Sequence, residues 1–128
     1  MSALPQYRLT IRMLEYAPGK RERYTLRVTI ETIQEFSALP YDLVVEHSWS
    51  GSVHTFRIRG LAIRNMLPSS PRVASYVEDF SVEHDGSLTI TVIRADSVFS
   101  VPILLHRGKV QLGASLIPTF IDVELSSS

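Results

Sequence analysis

Apolar and polar positions alternate with a period of two along most of this 128-residue chain, the spacing of strands that bury one face and wet the other. The stretch from Phe80 to Leu112 shows it most plainly. A three-residue loop at His84-Asp85-Gly86 predicts Phe80 opposite Ile90 and Val82 opposite Leu88. A two-residue turn at Ala95-Asp96 predicts Val92 opposite Phe99, Ile90 opposite Val101 and Leu88 opposite Ile103. Arg107-Gly108 then predicts Leu105 opposite Val110 and Ile103 opposite Leu112. The three turns agree on one apolar face, so four antiparallel strands are expected here. Pro102 is compatible with them, because its missing N–H falls opposite Gly113, where the fourth strand ends.

Two more hairpins precede this meander. Tyr7, Leu9, Ile11 and Met13 alternate with polar residues, as do Tyr24, Leu26, Val28 and Ile30. A type II turn at Ala17-Pro18-Gly19-Lys20 pairs Met13 with Tyr24, Ile11 with Leu26, Leu9 with Val28 and Tyr7 with Ile30. Gln34 to Pro40 is expected to be a connection. A turn at Ser50-Gly51 then pairs Val45 with Phe56, Leu43 with Ile58 and Asp42 with Arg59, and sets His47 opposite His54. Gly60 to Ser75 is the least regular stretch and is expected to cross over, as one helical turn or as an extension of the fourth strand past a bulge at Gly60. Thr119 to Leu125 predicts a last strand. Residues 1–5 and 126–128 are expected to fray.

About nine strands with one apolar face each must stack or close, since a flat sheet would leave that face in water. The expected fold is therefore all-β, a single domain over residues 1–128 built as an antiparallel β-sandwich. The alternative is a flattened up-and-down β-barrel. The expected core includes Leu9, Ile11, Leu26, Val28, Val45, Phe56, Ile58, Val82, Ile90, Val92, Val101 and Ile103.

Composition adds exclusions more than assignments. The chain has no cysteine, which removes disulfides, thiol catalysis and thiolate metal sites. No apolar run reaches the ~20 residues of a membrane-spanning helix, and Met1 to Pro5 lacks the features of a signal peptide, so a cytoplasmic, soluble protein is the expectation. Thirteen basic and thirteen acidic residues cancel, which argues against a nucleic-acid partner. The two signs are unevenly placed, however: basic residues dominate up to Ser75 and acidic ones from Tyr76 onward.

No phosphate-loop, nucleophile-elbow or zinc-protease signature occurs in the sequence, and no cofactor is implied. Two surfaces carry candidate chemistry. Arg8, Arg12, Arg23 and Arg27 share the polar face of the first hairpin. Guanidinium groups bind carboxylates and phosphates in a bidentate manner, so this face is a candidate for an acidic partner or a phosphate-bearing ligand. The plainer account is a solvated face, with Glu15, Glu22 and Glu31 nearby. Trp49, near a predicted strand end, is a candidate for stacking on a sugar ring or a partner, or for closing the core. His47 and His54, placed opposite each other, could both reach one zinc ion, but a third ligand is missing, so no metal is expected. Ile93, Val98 and Leu104 on the polar parity point to cover by the chain itself or by a second subunit.

With sheet regularity and no catalytic constellation, the expected function is a non-enzymatic module that binds or assembles with a protein partner, including a second copy of the chain. The alternative is a small-ligand-binding barrel or carbohydrate-binding module with its site at the open end beside Trp49, and after these a hydrolase.

Overall fold

The alternation becomes strand almost everywhere. The computed structural model describes residues 6–67, 69–113 and 120–127. Among them are β1 (Tyr7–Ala17), β2 (Arg23–Ala38), β3 (Tyr41–Ser50), β4 (Val53–Ile63), β5 (Ser69–Glu83), β6 (Gly86–Arg94), β7 (Ser97–His106), β8 (Lys109–Leu112) and β9 (Ile121–Ser127), with no helix. The fourth strand does continue past Gly60, to Ile63. The last strand ends at Ser127, so Ser126 and Ser127 are paired rather than frayed. Residues 1–5, Thr119 and Ser128 lie outside the described residues.

All nine strands belong to one sheet, in the order β8-β7-β6-β4-β3-β5-β2-β1-β9. It curls until its two edge strands face each other across a gap of about 420 Å³ between Val110 and Leu125. The chain is thus a nearly closed barrel, as in the second of the two expected arrangements, but its strand order is not up-and-down. Alternation could not choose between them, because stacking and curling both cover one apolar face. Nor is the sheet antiparallel throughout: β1 with β9, β3 with β5 and β4 with β6 run parallel.

The meander β6-β7-β8 has the expected registers, with Val92 opposite Phe99, Ile90 opposite Val101, Leu88 opposite Ile103 and Leu105 opposite Val110. Its predicted first hairpin does not form. β5 pairs antiparallel with β2, placing Phe80 opposite Leu26 rather than Ile90. β6 lies beside β4 instead. β5 has fifteen residues and β2 sixteen, whereas β6 has nine. A β5–β6 ladder would leave much of β5 without backbone partners, and pairing with β2 does not. The two early hairpins keep their predicted faces but slip by two residues. Ile11 faces Val28 and Leu9 faces Ile30, with a bulge between Met13 and Glu15. Val45 faces Ile58 and His47 faces Phe56, because the turn is Gly51-Ser52, and beyond a bulge between Val44 and Val45 the slip grows to three, with Leu43 facing Leu61. Gly51 stands first in its turn with φ 58°, as a type II′ hairpin requires.

A slip of two preserves every inward face, so the core survives the error. Ten of the twelve expected core residues are buried, and Val45 and Val82 pack against them partly buried. The uneven charge resolves across strand neighbours. Arg27 on β2 makes a bidentate pair with Asp79 on β5, at 2.8 and 3.0 Å. Arg8 on β1 lies 3.6 Å from both Glu31 on β2 and Glu124 on β9.

Candidate functional site at the histidine end

Four turns gather at one end of the barrel, and Asp85 fastens three of them. Its carboxylate accepts from the hydroxyl of Tyr24 on β2 and from the Arg107 amide of the β7–β8 turn at 3.2 Å. Its own amide donates to Glu22 Oε1 at 2.9 Å in the β1–β2 turn. Gly108 N in turn donates to the Tyr24 hydroxyl at 3.0 Å. These bonds, that from Tyr24 first, hold the Asp85 carboxyl below its ordinary pKa, while burial pushes the Tyr24 hydroxyl up to about 12. The fourth turn, Gly51-Ser52, is tied to β6 by a bond from Thr89 N to Ser52 O at 2.9 Å.

Between the β3–β4 and β5–β6 turns opens a cavity of about 520 Å³, lined by His47, His54, Trp49 and Phe80 together with Ser52, Glu83 and other residues of those turns. His47 and His54 sit on inward positions one step past Val45 and Phe56. The two-residue slip makes them diagonal rather than opposite neighbours. In that arrangement His47 Nε2 lies 2.9 Å from His54 Nδ1, and His47 Nδ1 pairs with Glu78 on β5. Glu78 Oε2 is buried and meets no donor but that ring nitrogen among the described residues. The rings continue as a stack: His47 lies parallel to Phe56 at 4.3 Å and His54 to Phe80 at 4.2 Å. Trp49, 68% exposed, caps it at the cavity mouth, 6.3 Å from His54.

His47 thus meets Glu78 through one ring nitrogen and His54 through the other, and His54, which lines the cavity, has its Nε2 without a hydrogen-bond partner among the described residues. Burial first, and the neighbouring His47 second, hold His54 below its ordinary pKa, with Glu78 opposing. Next to Glu78, the Tyr76 hydroxyl rises to about 12 through burial and then its bond to that carboxylate.

Glu78 is the residue that reading the sequence missed. It shares parity with Tyr76 and Phe80, so a carboxylate on the apolar face was visible in the alternation. It supplies a third polar group to the histidine pair, but the three bond to one another in line. Among the described residues no three His, Asp or Glu side chains are grouped to hold a metal ion.

The arginines lie elsewhere, on the outer face of β1 and β2. Arg12 and Arg27 are cross-strand partners, Arg23 is opposite Glu83, and Arg8 and Arg27 are engaged by the carboxylates already named. Trp49 joins the histidines and not the arginines. On the far side of the meander Val98 is exposed opposite Ile93.

Compared with known protein families, curated proteins and solved structures, the chain matches none. The fold and this end of it define a barrel with a polar, ring-lined cavity, and the functional argument proceeds from that geometry alone.

Proposed function

We propose that the protein is a ligand-binding β-barrel that receives a small organic molecule at its histidine end. One observation carries this: the part-buried Glu78–His47–His54 chain ends in a cavity whose mouth bears the exposed Trp49. A part-buried chain of ionisable groups is a poor way to stabilise a barrel, since well-packed apolar residues of similar volume do as well or better. Its volume of about 520 Å³ falls within the ~300–1,000 Å³ of small-molecule sites. Ser52, Ser81 and Ser87 line the same cavity, but among the described residues none is hydrogen-bonded to either histidine, which favours binding over nucleophilic hydrolysis. Trp49 is the sole tryptophan, so its fluorescence reports the site directly. A fragment screen read by Trp49 emission and amide shifts should give hits that move Ser52 and Glu83 to Ser87. Hits confined to the opposite end, around Leu61 and Arg94, would refute the assignment.

A second reading, an interaction or assembly module without catalysis, is supported by exposed apolar side chains toward that opposite end. Met66 is 74% and Leu67 72% exposed, and Leu61 and Ile63 are exposed on β4. Sedimentation velocity of the wild type against Met66→Ser/Leu67→Ser tests it: equal, monomeric behaviour of both removes self-assembly through this patch.

A further inference from the structure

We infer that the histidine-end cavity selects an organic ammonium ion, drawn by its acidic rim, with the charge on the face of Trp49 and His54 beside it. The inference rests on the ligand-binding reading above and adds the chemical class. Three features converge. No lysine or arginine lines the cavity, whereas Glu83 and Asp85 do, so anions are disfavoured and cations attracted. Arg23 stands across the ladder from Glu83 on the outer face, and His106 Nδ1 lies 3.5 Å from Asp85. Second, His54 is only 8% exposed, and its Nε2 has no hydrogen-bond partner among the described residues, so a ligand in the cavity meets an unpaired ring nitrogen there. Third, an exposed indole beside an acidic rim is the arrangement that attracts a cation to an aromatic face.

A carboxylate ligand satisfies neither the first nor the third, and a neutral alcohol satisfies only the second. The discriminating probes are therefore benzylammonium, benzyl alcohol and benzoate, which share a ring and differ in charge, titrated against the full-length protein at pH 7.5. Glucose serves as a saccharide control. Trp49 emission is the readout for the wild type and amide chemical shifts for the variants. Benzylammonium should bind tightest and benzoate weakest. Its advantage over the alcohol should shrink as salt rises. Glu83→Gln, an exposed position, should weaken benzylammonium by about two- to fivefold and leave the alcohol unchanged. Trp49→Ala should weaken it by roughly three- to tenfold. Equal affinity for ammonium and alcohol, or tightest binding of benzoate, overturns the inference. Glucose binding without benzylammonium binding would refute the ammonium class yet leave the ligand-binding reading standing. Silence from all four probes, together with an empty fragment screen, would remove the ligand site itself.

Discussion

Replacing Tyr24 by phenylalanine isolates the hydroxyl that fastens the cavity end. The Tyr24 ring is fully buried and packs at a tilt against Tyr16, centroids 4.8 Å apart, and those contacts persist in the variant. What is lost is the donor to Asp85 and the acceptor for Gly108 N, leaving a carboxylate and a backbone amide short of a partner. Because water can reach the exposed Asp85, the loss is that of an ordinary hydrogen bond, about 0.5–1.5 kcal/mol. The entropy of unfolding, about 2.1 cal/mol/K per residue, amounts to about 0.27 kcal/mol/K over this chain of 128 residues. Tyr24→Phe should therefore melt about 2–6 °C below the wild type, measured by circular dichroism at pH 7. Because both groups act through one bond, Tyr24→Phe and Asp85→Asn should be non-additive, with a coupling of about 0.5 kcal/mol or more. Amide exchange should localise the change to Arg107 and Gly108 rather than to the far end of the barrel. A melting temperature within 1 °C of the wild type, or strict additivity of the pair, would refute the claim that this network joins the three turns.

Two further outcomes test the faces and the histidines. Ile90 is fully buried and Thr89 is its outward neighbour, so Ile90→Asp should abolish folding, an unpaired buried charge costing several kcal/mol against a total of about 5–15. Thr89→Asp should fold, and the reverse ranking in thermal melts would mean the faces are swapped. His54 has a folded pKa held below its ordinary 6.5, so below about that value the unfolded chain binds a proton that the native state refuses. The stability contributed by this site is thus complete above about pH 6.5 and lost as pH falls through the lower, folded value. Melts from pH 8 to 5 should show the wild type losing stability relative to His54→Gln, and parallel profiles for the two proteins would remove His54 from the acid response.

How much of this was legible in the chain follows from what a period of two encodes. Alternation states which face of a strand is wet, and so the core was legible: Leu9, Ile11, Phe56, Ile90 and Val101 are buried as their parity requires. Short two-residue turns also fixed the register of β6, β7 and β8, where Ala95, Arg107 and Gly108 adopt positive φ. Parity is blind to a slip of two, however. The register of the first two hairpins was settled by the bulge after Met13 and by the placing of Gly51 in its turn, features that depend on backbone geometry. It is equally blind to which strands are neighbours. Only the closing of the ladder along the long β2 and β5 decided that β5 crosses to β2, and that crossing brings Glu78 to His47. The same slip of two sets the histidines diagonally, in bonding contact, instead of side by side. The polar character of the candidate site was thus written in the sequence, one residue at a time. Its assembly was decided by strand order, which is set by the long-range pairing of backbone groups that no local pattern records.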